Sequence, residues 1–328
     1  MPCNEFYLRA YFNYCLYNLP HYNNTFFFQL FMRHSETAHG ISMSVIASAL
    51  FALLTGYVVL LKPLDGLDIF AWRIFWTIPA ALILLLYFKR LPQFINAIRV
   101  TIRQPVSALL FLSTTCMLGL QMWVFLWAPI NGYTLDMSLG YFLLPVMLVI
   151  VGRYYYKEQL DGFQKIAVLC AVIGIVHELW VTHAFSWVTL LIALGYPPYF
   201  VLRRRIKQEQ LIIFSMEILL LLPAALTLLW TRNSFATIAD RPEMFLLLPG
   251  LGILSTFAFF CFLKASYSLP MSLFGILSYF EPIFIVLIAI GLLGETLTTQ
   301  QLGTYIPIWL SVGFTILHSI RLIKKRSS

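Results

Sequence analysis

The chain has 328 residues, 60% of them hydrophobic and only 11% charged, with a mean hydropathy of +0.82. So few charges exclude an ordinary soluble domain. The net charge of +8 lies in short clusters between apolar runs, which excludes the basic face of a nucleic-acid binder.

Residues 1–40 read as an N-terminal cytoplasmic segment. Its aromatic, Asn-rich start lacks the charged region, apolar region and cleavage site of a signal peptide. Asn23-Asn24-Thr25 matches a glycosylation acceptor, but on the expected cytoplasmic side the match is a coincidence. Met32 is an alternative start of translation. A bilayer core of about 30 Å needs roughly 20 apolar residues per helix. Cutting at charged, polar and Pro/Gly breaks predicts ten spans, near 41–61, 67–88, 105–127, 134–153, 162–181, 185–202, 209–230, 243–264, 270–293 and 299–320. The basic tail 321–328 follows.

Lysine and arginine should be in excess on the cytoplasmic side. With the N-terminus inside, that side collects Lys89, Arg90, Arg153, Lys157, the Arg203-Arg204-Arg205 triplet and the tail, while the outer loops hold only Lys62, Arg232 and Arg241. An even number of spans with both termini cytoplasmic is therefore expected.

The sequence also repeats itself. LGYFLLPVMLVIVGRYYYKEQL from Leu139 sets beside LSYFEPIFIVLIAIGLLGETL from Leu277, each with a Tyr-Phe pair, a proline (Pro145, Pro282) and a later glutamate (Glu158, Glu295). RIFWTIPAAL from Arg73 sets beside EILLLLPAAL from Glu217. The expected fold is thus an all-α membrane protein of two five-helix repeats, 41–181 and 185–320. An odd number of spans per repeat inverts the second relative to the first, and inverted repeats are a feature of many transporters.

Charged residues inside the spans carry the candidate chemistry. Arg73 and Glu217 occupy matched repeat positions, roughly 6 Å outside and 4 Å inside the midplane at 1.5 Å per residue. Two readings stand: an ion pair that fixes helix packing, or a substrate or proton site, since ionisable groups in a membrane line pathways by default. Glu281, just before Pro282, is a candidate proton carrier; the alternative is a neutral carboxyl hydrogen-bonded locally, for instance to Ser278. Trp123 and Trp127 lie one helical turn apart, with Gln121 before them and Asn131 after. They suit either packing at the interface or a cavity that stacks a flat organic molecule. Tyr141 and Tyr279, at matched repeat positions, line that cavity or belong to the core.

No GxSxG or Walker sequence occurs, and His177-Glu178 with His183 misses the HExxH spacing. Cys116, Cys170 and Cys261 fall inside apolar runs, without CxxC or Cys/His spacing. No enzyme activity, cofactor or metal is expected, and energy for transport would come from an ion or solute gradient.

The runs WAPINGYTLDMSLGYFLLP from Trp127, AWRIFWTI from Ala71, MEILLLLP from Met216 and YFEPIFIVLIAIGLLGETL from Tyr279 resemble the EamA group of drug/metabolite transporters, and within it the RarD-like proteins. The resemblance spans about residues 36–326. It implies ten helices in two EamA repeats, a bacterial inner membrane, and transport of a small metabolite or drug-like compound. Arg73 and Glu217 match its arginine in span two and glutamate in span seven. Trp72, Gln121-Met122, Leu144 and Glu281 depart from its pattern. The function expected is a secondary transporter working by alternating access, with proton coupling as one form. The rivals are a membrane scaffold or binding protein and an intramembrane enzyme. The expected partners are a small solute and the lipid bilayer, with no nucleic acid; whether the protein acts alone or as a homodimer stays open.

Overall fold

The computed structural model describes residues 24–62, 64–131, 133–182, 186–239, 241–293 and 299–324. Asn23, His183 and Glu295, and with them the glycosylation match and the repeat's second late glutamate, lie outside the described residues. The chain divides into two units, Met1–Ala38 and His39–Ser328. The described part of the first is the opening of helix α1 (Asn24–Val58), which therefore begins well before the predicted start of span one; its apolar stretch runs Thr37–Val58.

All elements of the second unit are helical among the described residues: the rest of α1, then α2 (Gly66–Tyr87), α3 (Leu91–Arg103), α4 (Pro105–Ile130), α5 (Thr134–Tyr154), α6 (Gly162–Thr182), α7 (Trp187–Arg203), α8 (Gln210–Thr231), α9 (Ser234–Ala239), α10 (Met244–Ser268), α11 (Met271–Leu277), α12 (Phe280–Leu293) and α13 (Thr299–Lys324). In hydrocarbon a spanning segment must satisfy its own backbone, which makes helix the form available to each apolar run. Among the described residues, seven helices are long and apolar enough to cross a membrane, and three more stretches, Trp187–Arg203, Met271–Phe284 and Gln301–Leu317, are apolar but shorter. Helix α3 differs: only Phe94 and Ala97 are buried on it, and it carries Arg99 and Arg103. Such an amphipathic helix suits the plane of the interface.

Turn chemistry sets several boundaries. Asp65 caps α2 by accepting from the Leu67 and Asp68 amides. Lys157 takes a left-handed conformation (φ 55°) just beyond α5, uncommon for a residue other than glycine. Predicted span nine is broken in two. Pro282 lacks the amide that would bond four residues back, and the chain turns at Ser278-Tyr279 between α11 and α12. Pro145, by contrast, is absorbed inside an unbroken α5.

The most extensive packing joins α6 to α13, α5 to α7 and α11, and α2 to α8 and α10. At α2–α10 the backbones come so close that a Cβ on Gly252 would run into the Trp76 backbone, the close approach that small residues give helices in a membrane. A central apolar cluster fills the space between α2, α4, α7, α8, α10 and α11. Outward faces carry large exposed apolar side chains, among them Ile83, Leu169, Trp180 and Trp230, as a lipid-facing surface requires.

Candidate functional site

Arg73 stands on the inner face of α2, 3% exposed. Its Nε donates to Ser255 Oγ of α10 at 2.9 Å, and its guanidinium carbon lies 5.2 Å from the centre of the Phe259 ring. No carboxylate lies within ion-pair distance of it among the described residues. Tyr141 of α5 and Tyr196 of α7 are its electrostatic neighbours, and their hydroxyls face one another. The same two tyrosines neighbour Glu281 in the first turn of α12. Tyr141 and Glu281 are surrounded by protein yet only half-buried.

Of the two readings of Arg73 and Glu217, the ion pair between them does not form. Glu217, wholly buried on α8, lies 3.4 Å from Arg203 Nε and accepts from the Tyr199 hydroxyl at 3.2 Å. Arg203 in turn donates through Nη1 to Gln210 Oε1 at 2.6 Å and through Nη2 to the Gln210 carbonyl at 3.1 Å. Sequence reasoning took the arginine triplet as a topology signal. Two of its members are structural: Arg203 is 2% exposed, and Arg204 bonds the Ser266 and Leu269 carbonyls at the C-terminal end of α10. The signal that could have found Arg203 is its place at the end of an apolar run, where a long side chain can reach inward as well as out.

The remaining candidates separate. Trp123 and Trp127 sit 5.4 Å apart, and Trp127 stacks on Tyr133 at 5.6 Å and meets Trp187 at 5.5 Å. Trp123 also packs in the small cluster that includes Tyr141. Gln121, 1% exposed, donates to the Leu191 carbonyl at 2.8 Å. Asn131 is exposed and bonds the Trp127 carbonyl of its own helix. Tyr279 is 1% exposed and donates to the Phe142 carbonyl at 2.9 Å. It stands one residue closer to its proline than Tyr141 does and lies in the turn between α11 and α12, whereas Tyr141 lies inside the unbroken α5. Tyr196, Ser255 and Phe259, which complete the surroundings of Arg73, carry no motif and were missed.

The Arg204 end is laced together. Glu158, just past α5, accepts from the Met271 amide at 2.7 Å and from the Ser272 amide and hydroxyl at 2.9 and 2.5 Å, so it caps α11 from another helix. The carboxylate lies over Gly152, where a Cβ would meet it. Tyr156 supports the Arg204 guanidinium at 4.9 Å, and Arg205 donates to the Tyr155 hydroxyl at 2.8 Å. Burial pushes the Tyr156 phenol above its ordinary value while Arg204 pulls it down. At the start of α2, Arg232 pairs with Asp65 and Asp68, and Trp72 Nε1 donates to Ser234 Oγ at 3.0 Å.

Comparison with known proteins adds to this geometry. The EamA-like transporter family matches residues 181–317. The chain is 46% identical over 292 residues to the chloramphenicol-sensitive protein RarD of Pseudomonas aeruginosa, covering 89% of this chain and 98% of that one. The chain belongs to the EamA/RarD transporter family. As an EamA/RarD transporter it is a multi-pass protein of the bacterial inner membrane, a secondary transporter of a small organic solute and not an enzyme. An uncharacterized transporter of Haemophilus influenzae is 36% identical, covering 83% of this EamA/RarD chain and 92% of its own length. A solved crystal structure with 16% identity superposes with a TM-score of 0.62, covering 88% of this chain and 98% of that one, a likeness of fold.

Proposed function

We propose that the protein moves its solute by alternating access through a site at Arg73, Tyr141, Tyr196 and Glu281, with Trp123, Trp127 and Gln121 along the approach. The observation that carries this is a buried arginine and a carboxyl group, both neighbours of one tyrosine pair. Ten spans in two inverted repeats, 41–181 and 185–320, with both termini cytoplasmic, are the frame. The packing of α2 on α8, α5 on α11 and α6 on α13 supports it, because each contact joins a span to its counterpart in the other repeat. In that frame the lacing around Glu158 and Arg204 is a closed cytoplasmic gate. Glu281 is the proton carrier, and Glu217, paired with Arg203, holds helices together. The site lies within one chain, so a homodimer would carry two independent copies.

Flux in proteoliposomes tests the reading, across amino acids, nucleosides and amphenicol-like drugs, with and without a pH gradient. The expected result is saturable flux that Arg73→Ala abolishes and that Glu281→Gln uncouples from the pH gradient. Equal flux in both variants would remove these residues from the pathway.

A further inference from the structure

We propose that the transported solute presents a single anionic group, a carboxylate or an equally flat two-oxygen anion, to the terminal nitrogens of Arg73. The inference rests on the transport reading above and narrows it.

The molecule supplies its own comparison. Arg73 and Arg203 are both arginines in the interior, 3% and 2% exposed. Arg203 engages all three of its nitrogens: Nε faces Glu217, Nη1 the Gln210 side chain and Nη2 the Gln210 carbonyl. Arg73 uses only Nε, toward the neutral Ser255. Its two terminal nitrogens make no hydrogen bond among the described residues. A buried charge is retained at such cost only when paired and hydrogen-bonded. The acid at the matched repeat position, Glu217, is taken. What is left open is the planar fork of donors that binds a carboxylate through two parallel hydrogen bonds.

The surroundings describe the rest of the solute. Phe259, Tyr141 and Tyr196 border the guanidinium, a lining that takes an aromatic or apolar body. Glu281, on the same tyrosine pair, would repel a second negative charge. The site therefore selects a monoanion over a dianion and over a neutral analogue.

The test uses the purified full chain in lipid nanodiscs, with saturable tryptophan-fluorescence change and thermal unfolding as readouts. The probes are benzoate, its neutral isostere benzamide, the dianion phthalate, inorganic phosphate and chloride. Benzoate is expected to bind at least tenfold more tightly than benzamide or phthalate, to lose at least tenfold in Arg73→Gln, and to keep part of its affinity in Arg73→Lys. Arg73→Lys also guards against a variant that fails to fold. Equal binding of benzamide, unchanged benzoate binding in Arg73→Gln, or no saturable binding of benzoate would overturn the proposal. An equal response to phosphate or chloride would overturn it too, by assigning the fork to an inorganic ion. Because binding is read without flux, a protein that transports a neutral solute through Arg73 would fail this test and still pass the flux test.

Discussion

Arg203 reaches Glu217 inside the protein, Nε to Oε2 3.4 Å with both side chains almost wholly buried, and by doing so it leaves Arg73 without an acidic partner. One half of the molecule is fastened by an ion pair at the position where the other half keeps an open cation. The two halves are thereby chemically unequal, whatever their common helical frame.

That pair should be structural. Removing one member leaves the other buried and unpaired, at a cost of about 3–5 kcal/mol. Arg203→Gln and Glu217→Gln are each expected to lower the unfolding temperature sharply. The double variant should lose less than the sum, and a double-mutant cycle on thermal unfolding measures the difference. Additive losses would show that the two side chains do not depend on one another.

Glu281 should behave differently. Glu281→Gln keeps shape and local hydrogen bonding but cannot release a proton. The variant is expected to unfold near the wild-type temperature and to exchange solute when both sides hold it, while losing acceleration by an imposed pH gradient. Counterflow measured beside gradient-driven uptake separates the two. Retention of the gradient effect would place the coupling elsewhere.

The gate rests on Glu158. Its carboxylate accepts two amides and a hydroxyl at the start of α11, and hydrogen bonds to a charged group contribute about 1.5–3 kcal/mol. Glu158→Gln should therefore favour the state open at that end. With the native cysteines replaced, a cysteine at the buried Met271 should react with a soluble maleimide about tenfold faster in that variant. Gly152→Ala should act in the same direction, since its Cβ would displace the carboxylate. Unchanged labelling in both would mean that the lacing does not open during the cycle.

The two repeat tyrosines offer a control on the site. Tyr279→Phe removes one hydrogen bond to the Phe142 carbonyl and should cost about 1 kcal/mol of stability with transport retained. Tyr141→Phe removes a hydroxyl that faces Tyr196 beside Arg73 and should weaken solute affinity with little change in unfolding. Parallel titrations and melts of the two variants would reveal a reversal of these roles.

The apolar runs, their approximate ends, the segregation of lysine and arginine, and the repeated Pro and Glu positions were all legible in the sequence. Each depends on a segment by itself: about 20 apolar residues lower the free energy of a helix in hydrocarbon whatever lies beside it. The amphipathic α3, between predicted spans two and three, was not among the expected elements. Tertiary structure alone decided the pairings. Arg203 took the glutamate expected for Arg73 because α7 ends within reach of α8. Tyr141 and Tyr279 parted because the chain turns at Tyr279, between α11 and α12, while Tyr141 stays within the unbroken α5. Glu158 found the amides of α11 because the chain turns at Lys157 toward a helix more than a hundred residues away in sequence. Helix formation is a local sum over the residues of one segment, whereas the partner of a side chain depends on the rotation and approach of a second helix, which no single segment encodes.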